Sequence, residues 1–188
     1  MIQSKEDLNY YLSEDRKHYA NYISRSWIER ILYPGEHDII WNQIYNLRLL
    51  EYRQNTKKGI FSKLLYVYQR AKYARILNRT QMRLHPNVFG PGLYIPHIGR
   101  MSISSQAEIG ANCTIRPYTL IASNLGVSNS KFRKVVIGDN VEMSEGCKIF
   151  CKKIGNNVRI GPNAVVFKNV PDNTSVISAQ SKYFQQDA

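Results

Sequence analysis

One histidine stands where the pattern of the chain calls for an aliphatic side chain. From Ile103 onward an aliphatic residue recurs at every sixth position, through Ile109, Ile115 and Ile121, and counting back by six lands on His97. An imidazole titrates near neutrality, so it can take a proton from a hydroxyl at physiological pH. That is one reading of His97; the other is that it lies in the lead-in segment and caps the repeat. The remaining histidines offer less. His18 and His37 fall in a helical half and read as surface residues, and His85 precedes Pro86 where the composition changes.

Other chemistries lack their residues. Cys113 and Cys147 fall in a column of small side chains and read as core, not as acyl-carrying thiols. There is no Gly-x-Ser-x-Gly elbow. Gly90-Pro-Gly92 has no third glycine where a dinucleotide fingerprint needs one. No zinc-ligand spacing joins the His, Cys and acidic positions, so no metal is expected.

The repeat fixes the element that must carry His97. After Ile121 the series resumes at Ile137, Met143 and Ile149, slips by one residue, and continues at Ile154, Ile160 and Val166. Four places after these stand small or β-branched residues, among them Ala107, Cys113, Thr119, Val141, Cys147, Val158, Ala164 and Val170. Neither a helix nor a half-exposed strand has a period of six. A polygonal coil of short strands does, with aliphatics inside and Gly or Asn at the corners, where left-handed backbone is tolerated. The sixteen-residue gap from Ile121 to Ile137 predicts an excursion loop at about 124–134. The five-residue step from Ile149 to Ile154 predicts a corner defect at Cys151 to Lys153.

The first half reads as helices. Residues 1–85 hold ten of the thirteen Tyr and two of the eleven Gly, which marks a boundary near 84. Ser4 is an N-cap candidate with Asp7 in the first turn, followed at helical spacing by Leu8, Tyr11, Leu12 and Tyr19. Pro34-Gly35 breaks the chain, and further helices are predicted over 38–52 and 60–78. The expected organisation is an α-helical segment at 1–84, a β-helix at 85–182 and a tail at 183–188.

Charge is uneven. The chain carries a formal +12, and Arg53 to Arg83 holds nine Lys/Arg and no acid. Such a segment attracts nucleic acid, anionic lipid or a phosphate-rich cofactor. No base-reading motif accompanies it, so no nucleic-acid partner is expected. Phe61, Leu64, Leu65 and Tyr68 share a helix face flanked by Lys63, Arg70, Lys72 and Arg75. That face either packs under the coil, the preferred reading, or makes a peripheral contact with the inner membrane surface. The polar start, the lack of a spanning apolar run and three unpaired cysteines point to a cytoplasmic location.

The stretch Asn87-Val-Phe-Gly-Pro-Gly-Leu-Tyr-Ile-Pro-His97, followed by Ile109-Gly-Ala-Asn-Cys113, resembles the start of the β-helix in serine acetyltransferases, hexapeptide-repeat acyltransferases. The resemblance implies a left-handed parallel β-helix, a homotrimer with its site between subunits, acetyl-CoA as co-substrate and His97 as catalytic base. It further implies Ala122 as an oxyanion donor, and Ala122, Glu145, Gly161, Pro162, Phe167, Lys168 and Lys182 as CoA contacts. Pro162 has no N–H to offer, and Ser178 to Lys182 departs from the family's closing loop.

The resemblance also bears on the acceptor. The family's acids before the first turn and before the His fall at Arg83 and Pro96, and its loop Arg-His pair falls at Arg133 and Lys134. Arg83, Arg133 and Lys134 are therefore candidate substrate-binding residues. A site with basic residues in place of acids disfavours an amino acid's ammonium group. The leading expectation is O-acetylation of a sugar in surface polysaccharide biosynthesis. L-Serine acetylation for cysteine synthesis ranks second, and a non-catalytic binding β-helix third.

Overall fold

A computed structural model describes residues 1–22, 27–122 and 134–178. Four helices precede the coil: α1 (Lys5–Lys17), α2 (Trp27–Leu32), α3 (Glu36–Thr56) and α4 (Gly59–Thr80). Each boundary has a local cause. Ser4 Oγ accepts from the Asp7 amide at 3.0 Å while Asp7 Oδ2 accepts from the Ser4 amide, a reciprocal N-terminal box. Asp38 Oδ2 takes the Gly35 amide at the start of α3, just past the Pro34-Gly35 break. At the end of α4, Gln81 turns left-handed, with φ 57°, and its amide closes on the Leu77 carbonyl. Tyr19 lies beyond the end of α1. Its hydroxyl accepts from the Ile95 amide at 2.8 Å and donates to the Ile95 carbonyl at 3.0 Å, satisfying backbone at the top of the coil.

The coil is a three-sided prism of parallel strands. Its strands are β1 (Met82–Arg83), β2 (Met101–Ile103), β3 (Ala107–Ile109), β4 (Thr114–Ile115), β5 (Leu120–Ile121) and β6 (Val135–Ile137). They continue with β7 (Glu142–Met143), β8 (Lys148–Ile149), β9 (Lys153–Ile154), β10 (Arg159–Ile160), β11 (Val165–Val166) and β12 (Ser175–Val176). Side A runs β1-β2-β5-β8-β11, side B β3-β6-β9 and side C β4-β7-β10-β12. Register follows the aliphatic series: Ile103 stacks on Ile121 and Ile149, Ile109 on Ile137 and Ile154, and Ile115 on Met143 and Ile160. These side chains and the named small residues are all buried.

The one-residue slip falls where expected. One turn takes eighteen residues from Ile103 to Ile121 but seventeen from Ile149 to Val166. The shortened corner buries Cys151, and Asn169 Oδ1 accepts the Lys153 amide.

Three expectations need correction. β1 already pairs with β2, so the coil begins at Met82, ahead of the boundary placed at 84. At the Ile-Gly-x-Asn corners the asparagine, not the glycine, adopts positive φ, as at Asn112, Asn140, Asn157 and Asn163. The glycines serve close approach instead: a Cβ on Gly110 would stand 2.6 Å from the Gly138 carbonyl oxygen of the next turn. Finally, Phe61, Leu64, Leu65 and Tyr68 do not pack under the coil but are exposed. The buried residues of α4 are Gln69, Tyr73 and Thr80, with Tyr66 and Leu77 packed against the core beside them, so a different face of the helix meets the body.

Candidate active site

His97 sits on the prism edge between sides C and A, and a carboxylate meets it there. Tyr94 bridges to Thr114 on side C and Met101 begins β2 on side A, so the chain turns the edge between them. Glu36, the first residue of α3, holds this corner. Its Oε1 accepts the Ile98 amide at 2.7 Å, and its Oε2 lies 3.2 Å from His97 Nδ1. The Ile98 amide, and then His97, hold the Glu36 carboxyl below its ordinary pKa, so it stays ionised at neutral pH. With Nδ1 facing this anion, Nε2 is the ring nitrogen left to exchange a proton. The His97 side chain is 64 % exposed, open to a reactant.

Sequence reading missed Glu36. The break at Pro34-Gly35 was legible, but the helix expected from 38 begins two residues earlier, and the meeting of Glu36 with a residue sixty-one positions away was not legible.

An aromatic cluster supports the same corner. His18 stacks on Tyr94 with centroids 5.0 Å apart, and Tyr22 stacks on His37 at 3.8 Å. Tyr19 packs against Tyr94, His37 and Trp41. His18 and His37 are thus half-buried ring partners, not the free surface residues expected of them. His85 is half-buried as well; burial, and next the charge of Arg83, push its pKa down.

The candidate CoA residues divide between two edges. Glu145, Gly161 and Pro162 follow β7 and β10, and so stack on the edge that carries His97. Ala122, Phe167 and Lys168 follow β5 and β11, on the edge between sides A and B; the excursion expected at about 124–134 lies, but for Lys134, outside the described residues. Phe167 stacks on Phe150 there, and Lys168 is exposed. The Ala122 amide donates to the Ile149 carbonyl at 3.0 Å, and the Gly161 amide to Val176 at 2.8 Å. Both N–H groups serve the inter-turn ladder, so the expectation of Ala122 as a free oxyanion donor does not hold within this chain.

Two of the three candidate acceptor residues are described. Arg83 is exposed on β1, opposite Ser102 on side A. Lys134 forms an ion pair with Glu108 on side B. Arg133 and Lys182 lie outside the described residues. Among the described residues no three His, Cys, Asp or Glu side chains form a group that could hold a metal ion.

The chain is 30 % identical over 167 residues to the serine acetyltransferase of Helicobacter pylori, covering 86 % of this chain and 87 % of that one. It belongs to the serine acetyltransferase family. The solved serine acetyltransferase of soybean in complex with serine superposes with a TM-score of 0.66 at 21 % identity, over 91 % of this chain and 67 % of that one. A serine acetyltransferase in complex with CoA superposes at 0.63 and 18 % identity, over 94 % and 70 %. No protein-family profile matches. The fold is therefore the left-handed β-helix with an N-terminal helical segment, and the enzyme class is acetyl-CoA-dependent O-acetyl transfer.

Proposed function

We propose that this serine acetyltransferase-family chain moves the acetyl group of acetyl-CoA onto the hydroxyl of L-serine, with His97 as general base. The contact between Glu36 and His97 carries the reading. The acceptor oxygen attacks the thioester carbonyl as His97 Nε2 takes its proton. The carbon–sulfur bond then breaks, and the imidazolium returns the proton to the CoA thiolate. Glu36 is placed to stabilise the imidazolium between these steps and to hold the ring on one tautomer.

This order of acceptors reverses the expectation from sequence. The sequence disfavours serine for want of acids near His97, and Glu36 supplies, from another element, the one that faces the ring. The serine acetyltransferases that the chain resembles support the same order. A sugar hydroxyl of a surface polysaccharide is the second reading, favoured by Arg83 and Pro96 at positions where the family carries acids. Thioester cleavage measured against serine, simple sugars, nucleotide sugars and oligosaccharides separates them. An efficiency with serine of about 10⁴ M⁻¹s⁻¹ or above supports the first. A sugar turned over about tenfold more efficiently than serine overturns it.

We further propose a homotrimer in the cytoplasm, where acetyl-CoA is made. One chain carries His97 on one edge and Phe167 and Lys168 on another, so a CoA that touches both sets needs two copies side by side. Lys134, at the start of side B, would then lie toward a neighbour's site. Light scattering that gave an active monomer would overturn this assembly.

A further inference from the structure

Helix α4 leaves its apolar surface uncovered. Ile60, Phe61, Leu64, Leu65, Val67 and Tyr68 are each 48–80 % exposed. At 100° per residue these six fall within an arc of about 160°. Lys72, Arg75 and Arg79 continue the same arc toward the end of the helix, and Lys57 and Lys58 stand before its start. No acid occurs anywhere from Arg53 to Arg83. Six exposed aliphatic or aromatic side chains in three turns form a patch that a monomeric surface seldom leaves to water.

We propose that α4 docks the enzyme onto an anionic lipid surface. The charge decides between occupants. A second copy laid on this face would bring the seven cations of 57–79 against seven more with no acid among them, whereas an anionic leaflet attracts every one of them. The apolar arc supplies area that can enter the headgroup boundary while Lys63 and Arg70 reach phosphate from its flank and Lys72 and Arg75 from its C-terminal end. No described helix is long and apolar enough to cross a membrane, so the contact is interfacial. The inference does not depend on which hydroxyl is acetylated.

Sedimentation of the full chain with vesicles tests it. Phosphatidylcholine vesicles are compared with vesicles containing about 30 % phosphatidylglycerol at about 0.15 M salt. The wild type is expected to pellet with the anionic vesicles at least about tenfold more than with the neutral ones. Phe61→Ser/Leu64→Ser, at exposed positions away from His97, is expected to lose at least about tenfold of that binding while thermal melting and thioester cleavage stay unchanged. No pelleting with anionic vesicles, or double-variant pelleting equal to wild type, would overturn the proposal. So would light scattering in which the double variant alone halves the particle mass without vesicles, since that assigns the face to a second copy.

Discussion

Asp15 and Arg48 pair with neither side chain exposed, Oδ2 to Nε at 2.8 Å. The same guanidinium reaches Glu51 and the carbonyls of Phe89 and Gly90. Asp15 Oδ1 takes the Leu93 amide, and Glu51 Oε1 takes that of Asn87. One cation therefore ties α1 and α3 to the turn that leads into His97.

Removing that cation strands two buried carboxylates. Arg48→Met is expected to cost about 3–5 kcal/mol, read as a drop in melting temperature of roughly 10 °C. Denaturant unfolding of the variant within about 1 kcal/mol of wild type would contradict the network's role.

The glycine column at one prism corner makes a second prediction. A methyl group on Gly110 would meet the Gly138 carbonyl oxygen at 2.6 Å and its carbon at 2.7 Å, backbone atoms that cannot rotate away. Gly110→Ala is expected to destabilise by about 1–3 kcal/mol despite its better intrinsic propensity. A stabilised variant in the same unfolding assay would contradict the stacking argument.

Alkaline pH should weaken the coil through Cys113. Burial pushes this thiol up to about 11, whereas an unfolded thiol ionises near ~8.5. Between those values the folded state holds a proton that the unfolded state has lost. Stability is therefore retained below the unfolded pKa and falls as pH rises toward the folded one, by up to roughly 3 kcal/mol. The urea midpoint followed from pH 7 to 11 checks this. Cys113→Ser should make the fall shallower, and an unchanged slope would count against it.

How much of this was legible depends on whether a feature is local. The coil was readable because each turn repeats the demand of the last, so Ile103, Ile121 and Ile149 announced their stacking by spacing alone. The helix start at Ser4 was readable because its cap lies within four residues, whereas α3 was expected from 38 and begins at Glu36. The contacts of Glu36 with His97 and of Arg48 with Asp15 join distant segments, and no periodicity reports such pairs. The exposed face of α4 was visible as an amphipathic pattern, but the pattern does not say whether the body lies beneath it. Gln69 and Tyr73, not Leu64 and Leu65, face the body, and only the packing reveals that.

The central claim is that Glu36 acts through His97. It is tested by kcat/KM for wild type, His97→Ala, Glu36→Gln and the double variant, with circular dichroism to confirm folding. Glutamine keeps an oxygen for the Ile98 amide but removes the charge facing Nδ1. The account predicts losses of about 10²–10⁴-fold for His97→Ala and about 10–10²-fold for Glu36→Gln. It also predicts that the double variant is no slower than His97→Ala alone, because Glu36 has no ring left to orient. Wild-type turnover in Glu36→Gln, or losses that multiply in the double variant, would contradict it.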